Sequence, residues 1–181
     1  MIITPAQLVV LKVHIDASND LNIFPNNSDG AFEIAKLLNL TASPDYFVWR
    51  SNVTRIEVYN TTSLDSTNWD WTVYKNQGIT EQGAWREMFM GDEADFGKVN
   101  LRAGIGKIFT GSAPANAQRD HALAIGRRKA TRAEQLYSVA VVSPPANTGN
   151  TGSTRGASVN PDVLVFEGTV TGSNVDEARA L

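Results

Sequence analysis

The sequence predicts a mainly α protein, a helical bundle with a small β element, because three kinds of signal agree. Apolar residues recur at helical spacing in several windows. Capping boxes open two of these windows, at Thr4 and at Thr131. Segments that suit strands are few and short, near residues 69–73 and 163–170. Helices therefore have to supply most of the core.

Two helices are predicted at the start of the chain. The first runs from Pro5 to about Ala17, where Leu8, Leu11 and Ile15 share one face with Val9 and Val13 beside them. The second runs from Asn27 or Ser28 to about Asn39 and also carries an apolar stripe. We expect the two to form an antiparallel hairpin.

Shorter elements follow in the middle of the chain. A short helix is predicted at 54–59, and a short strand or an aromatic-anchored loop at 69–73. Two further helices are predicted at about 80–90 and 100–109. The second of these contains Gly104 and Gly106, and close packing or a bound ligand would explain two glycines inside a helix.

The most regular stretch is 112–142, which reads as two helices joined at a basic turn. That turn contains Arg127, Arg128, Lys129 and Arg132, the densest positive charge in the chain. Positive charge at a helix C-terminus has an ordinary cause, since it complements the helix dipole. The functional interpretation is a contact with phosphates or with an acidic partner surface. These four residues are the candidate partner or DNA contact.

A long loop and a tail are predicted after Val142. Residues 143–160 are mostly Pro, Gly, Asn, Ser and Thr, and Asn174 is the expected cap of a last helical turn. A lone strand cannot satisfy its own backbone, so the strand at 163–170 must pair with 69–73 or reach a neighbouring subunit. The candidate inter-subunit arm consists of Val163, Leu164, Val165, Phe166 and Val170. We therefore expect one domain with a helical body (1–142), a flexible loop (143–160) and an arm (161–181).

Composition narrows the function classes. The chain has 181 residues, a net charge of −3 and no cysteine, which excludes disulfides, thiolate metal sites and cysteine nucleophiles. The first residues do not have the pattern of a signal peptide, and no apolar run approaches the roughly 18 residues that span a membrane. We expect no membrane partner.

Motifs for chemistry are weak. His14 and His121 lack a ligand partner at helical spacing, and the acidic residues of 92–95 lack the glycine and final glutamate of a calcium loop. Residues 104–107 lack the remainder of a phosphate-binding loop. The four tryptophans are interpreted as core and interface anchors, with stacking on bases as the alternative. We expect no enzyme, no catalytic residue, no metal and no cofactor.

Several segments together resemble a family of small structural proteins of tailed bacteriophages and prophages. They are ITPAQLVVLK, PNNSDGAFEIAKLLN, SPDYFVWRSNV, the region of WREMF with VNLRAGIGKIF, RKATRAEQLY and LVFEGTVTGSNVDEAR. The likeness spans nearly the whole chain and carries no catalytic signature. Residues 61–68 and 145–157 are insertions that the pattern does not require.

The resemblance implies a virion structural protein of the head–tail connector, or neck adaptor, class. Such a protein would form a homo-oligomeric ring between portal and tail proteins in the virion neck, after assembly in the bacterial host cytoplasm. Non-specific contact with packaged DNA is also compatible with it. The alternatives are a tail terminator or head-closure protein, classes generally richer in strand, and a nucleic-acid-binding accessory protein.

Overall fold

A computed structural model describes residues 3–142, 144–152 and 154–181. These residues divide into two compact units, and each unit is assembled from segments that are distant in the sequence. The first unit comprises the described residues of Met1–Tyr46, Lys129–Val139 and Leu164–Leu181. The second comprises those of Phe47–Arg128 and Ala140–Val163.

The secondary structure of the described residues is mainly helical, and no strand there exceeds three residues, which confirms the predicted fold class. The helices are α1 (Pro5–Ala17), α2 (Ser28–Leu38), α3 (Arg55–Asn60), α4 (Trp71–Lys75), α5 (Ile79–Glu87), α6 (Val99–Ile108), α7 (Ala113–Ile125), α8 (Arg132–Tyr137) and α9 (Gly172–Arg179). The strands are β1 (Phe47–Trp49), β2 (Val53–Thr54), β3 (Glu93–Ala94), β4 (Arg127–Lys129), β5 (Ser138–Val139) and β6 (Val163–Leu164). The strands pair as β1 with β4, β2 with β3 and β5 with β6.

The first unit is organised around the C-terminal helix α9. Both α1 and α2 pack chiefly on α9 rather than on each other, so the predicted hairpin of the first two helices is wrong. Most of the core is aliphatic, including Leu11, Ile15 and Ile34, with Phe166 and Val175 supplied by the C-terminal segment. Leu11 and Ile15 enter the core as predicted, but the helix that covers α1 and α2 lies more than 130 residues further along the chain.

The second unit has an aromatic core. Trp49, Trp85, Phe96 and Phe109 are each at most 1% exposed, and helices α5, α6 and α7 pack around them. The stacked rings of Trp69 and Trp85 have centroids 5.2 Å apart. Large rigid aromatic side chains thus fill much of this core.

Local capping signals predicted helix starts well. Thr4 and Thr131 each form a complete capping box, and Thr54 does the same at α3, which confirms the short helix expected at 54–59. Ser112 caps α7 as expected. Each of these caps satisfies an otherwise unpaired N–H of the first helical turn.

Three local predictions are wrong. Residues 69–73 do not form a strand, because Asp70 caps α4 by accepting hydrogen bonds from the backbone of Thr72 and Val73 over 2.7 and 3.3 Å. The strand expected at 163–170 is limited to β6. The cap of the last helix is Thr171, with Asn174 completing the box three residues later.

The predicted long loop is present. The described residues between Pro144 and Asn160 contain no helix, and their β structure is limited to an isolated bridge. The described helices are all too short or too polar to cross a bilayer.

Candidate functional site

The predicted basic turn is a strand followed by a helix start. Arg127, Arg128 and Lys129 form β4, and Arg132 opens α8, so the prediction of a turn is wrong. The backbone of this segment pairs with β1, which the sequence pattern did not show. Arg127 and Arg128 belong to the second unit, whereas Lys129 and Arg132 belong to the first.

Basic side chains of this segment form ion pairs within their own unit. The pairs are Arg127 with Asp65, Lys129 with Asp45 over 2.7 Å, and Arg132 with Asp20 over 2.6 Å. The hydrogen bond from Arg132 holds the pKa of Asp20 below its ordinary value. Arg128 is half-buried. Intramolecular pairing therefore reduces the charge that this segment presents, and its contact with a partner or DNA stays a prediction.

The second unit contains a fully buried arginine, Arg102 of α6. Its Nε donates to the carbonyl of Thr148 over 3.0 Å, and its Nη2 donates to Asn150 Oδ1 over 3.3 Å. Its Nη1 donates to the carbonyls of Phe96 and Gly97. Acceptors from two distant stretches of chain thus converge on one guanidinium, which is how a buried charge is tolerated.

Arg102 fixes the long loop to α6. Burial lowers its pKa to about 10, with Asp95 acting in the opposite direction, so the group is still charged at neutral pH. Its guanidinium carbon lies 4.4 Å from the centroid of the Trp49 ring, a favourable cation–π arrangement. The sequence did not predict this role, because a single arginine in a predicted helix is normally expected on the solvent-exposed face.

Close packing against backbone explains Gly106 of α6, whereas Gly104 faces the end of a flexible side chain. A Cβ on Gly106 would lie 2.8 Å from the carbonyl oxygen of Asn147, and one on Gly104 would lie 2.5 Å from Met88 Cε. Close packing therefore accounts for the glycine at 106 without a bound ligand.

The two histidines have separate environments. His121 is fully buried, where its Nε2 donates to the carbonyl of Val58 over 2.8 Å and its Nδ1 lies 3.1 Å from Thr67 Oγ1. His14 is half-buried, and burial followed by the charge of Arg132 lowers its pKa. Across the described ranges, no three side chains of the metal-binding types are grouped to hold an ion.

The tryptophans are mostly core residues. Trp49, Trp69 and Trp85 are at most 8% exposed, which agrees with their interpretation as core anchors. Trp71 is 47% exposed and lies against Tyr59, with ring centroids 4.6 Å apart. An aromatic edge therefore reaches the surface at the start of α4.

The predicted arm residues differ in exposure. Phe166 and Val170 are at most 2% exposed in the core of the first unit, and Val163 packs on the core of the second. Leu164 is half-buried in β6, whereas Val165 is 56% exposed. Of the five, only Val165 has most of its side chain exposed.

Helix α1 carries a second apolar face that the sequence analysis did not separate from the first. Opposite the core residues Leu11 and Ile15, the valines Val9, Val10 and Val13 are 52%, 43% and 61% exposed. Ala6 and Ala17 are also exposed and extend this line at helical spacing. We call Ala6, Val9, Val10, Val13 and Ala17 the outer stripe. The sequence prediction placed Val9 and Val13 beside Leu11 and Ile15. A helical-wheel projection of α1 instead puts these two valines on the opposite side of the helix.

Comparison with known proteins gave no match: none of the protein-family models, curated proteins or solved structures matches this chain.

Proposed function

We propose that this chain is a virion structural protein of a tailed bacteriophage, a ring-forming head–tail adaptor between portal and tail. The outer stripe of α1 is the observation that carries the proposal. Helices of globular proteins normally expose a polar face, whereas α1 is apolar on two sides. A face of this kind is expected where another protein surface covers it.

The proposed occupant of the outer stripe is a neighbouring copy in the ring. None of its five residues is charged, and Lys12 and Asp16 at its edge pair with each other over 3.3 Å. The stripe therefore places no charge requirement on the surface that meets it.

Its small size sets the expected strength of the contact. A helix of 13 residues is roughly 20 Å long, so the stripe covers well under the roughly 800 Å² per partner of a stable interface. Isolated protein should accordingly be monomeric or weakly associated, and the ring should form on the particle.

The family resemblance and the mainly helical fold support an adaptor over the strand-rich tail terminator and head-closure classes. The other alternative, a nucleic-acid-binding accessory protein, predicts DNA affinity that falls steeply with salt. That alternative is less favoured, because Arg127, Lys129 and Arg132 already have intramolecular carboxylate partners.

Particle assembly with altered α1 tests the proposal. Val9→Glu/Val13→Glu should abolish incorporation into particles and leave heads without tails, while the isolated protein keeps its wild-type circular dichroism spectrum. Ile79→Glu is the control, because Ile79 is an apolar side chain that is 90% exposed in the other unit. Normal particles from the double variant would contradict the role of α1, and a protein absent from wild-type particles would contradict the adaptor function itself.

A further inference from the structure

A cleft of about 350 Å³ in the second unit brings two arginines together. Its walls include Arg119, Leu123, Arg127 and Val159, with Asp65 and Asp120 at the same cleft. This volume lies at the lower end of the roughly 300–1,000 Å³ of small-molecule pockets. The assembly role proposed above does not use this cleft.

Two consecutive elements supply the arginines of this wall. Arg119 and Leu123 lie one helical turn apart on α7, and Arg127 opens β4 directly after the C-cap Gly126. The two arginine side chains are only 14% and 10% exposed, so packing holds both guanidiniums beside the cleft.

The carboxylate partners of both guanidiniums are replaceable. Arg119 Nε donates to Asp120 Oδ1 over 2.8 Å, and Arg127 Nη2 donates to Asp65 Oδ2. A second donor of each side chain is held by a neutral acceptor, Asn116 Oδ1 for Arg119 and the carbonyl of Ser158 for Arg127. The carboxylates are 59% and 53% exposed, and ion pairs with such exposed groups contribute little. Arg127 Nε is buried and has no acceptor among the described residues, so part of its donor capacity is unused.

We propose that this cleft binds the phosphate monoester group of a small molecule. Such a group carries a charge of about −1.5 to −2 at pH 7, more than either carboxylate that it would displace. Guanidinium forks match phosphate oxygens, and two of them distinguish a dianion from a single carboxylate. Leu123 and Val159 provide an apolar wall for the organic part of the ligand.

Titration of the full chain with adenosine 5′-monophosphate, followed by NMR, tests the site. Saturable shifts at cleft residues are expected, and adenosine without phosphate should give none. Arg119→Gln and Arg127→Gln should each weaken binding about tenfold or more, as expected for loss of a charge-assisted hydrogen bond. Lys75→Gln/Lys98→Gln removes two exposed positive charges of the same unit and should leave affinity unchanged. Equal loss in this control, or equal shifts with adenosine, would overturn the proposal.

A gain-of-binding variant separates binding from folding. Asp65→Asn/Asp120→Asn removes the competing carboxylates and should tighten binding several-fold, which an unfolded protein cannot do. Unchanged or weaker binding in this variant would overturn the proposal. A different ligand would also overturn it. That outcome is binding of a DNA oligonucleotide that the arginine substitutions weaken, while neither the monophosphate nor inorganic phosphate binds. Because the test uses isolated protein, its failure leaves the particle-assembly result unaffected.

Discussion

The two units of this protein have hydrophobic cores of different composition. The first has a largely aliphatic core in which complementary helix faces meet, and the last helix of the chain completes it. The second has helices around stacked aromatic rings, and a buried arginine secures its long loop. Continuous helix faces provide the packing in the first unit, whereas carbonyls of irregular backbone in the second receive hydrogen bonds from one buried donor, Arg102.

The largest expected effect is in the aliphatic core. Phe166→Ala should lower the free energy of unfolding by about 3–5 kcal/mol, because it leaves a cavity at a side chain that is 1% exposed. Urea denaturation measures the change. The neighbouring Val165→Ala, at a side chain that is 56% exposed, should change stability by less than about 0.5 kcal/mol. Similar losses in the two variants would contradict this placement of the C-terminal segment.

The corresponding change in the second unit is Arg102→Met. It should cost about 3 kcal/mol, since several buried carbonyls lose their donor. Hydrogen exchange should also show faster exchange at residues 147–150, a change that Phe166→Ala should not produce directly. The control Lys98→Met removes a charge from a side chain that is 68% exposed and should be nearly neutral. Unaltered loop protection in Arg102→Met would show that the loop is held by other contacts.

Helix caps allow a matched comparison of the units. Thr131→Ala in the first and Thr54→Ala in the second should each cost about 1 kcal/mol, because each removes the acceptor of a capping box. Thermal unfolding of both variants, with Thr→Ser at each position as the control, measures the cost. Serine keeps the acceptor oxygen, so a loss in the serine variants as large as in the alanine variants would exclude capping as the cause.

The smallest expected effect is a pH dependence confined to the first unit. The pKa of His14 is lowered by burial and by Arg132, with Asp20 opposing, so the folded chain favours the neutral imidazole. Stability from this group is therefore present above the unfolded pKa of about 6.5 and is lost as pH falls below it. His14→Gln should flatten the fall in unfolding free energy between pH 7.5 and 5.5. An unchanged slope in this variant would assign the pH dependence to other groups.

Sequence patterns predicted the elements better than the candidate site. Helix starts at Thr4, Ser112 and Thr131 were correct, because a cap acts within three or four residues. The alternation at 69–73 was misleading, since Asp70 decides the local structure through a single capping side chain. The basic residues were visible as a cluster, but their partners Asp65, Asp45 and Asp20 are between 62 and 112 residues away.

The sequence by itself determined the fold class and the starts of its main helices, because these depend on composition, periodicity and contacts within one helical turn. It also located the long loop and the basic segment. Only the tertiary structure decided that α9 covers α1 and α2, that Arg102 secures the loop, and that the outer stripe is exposed. These outcomes depend on which distant surfaces meet, and a helix with apolar residues on two sides does not itself specify the face that enters the core.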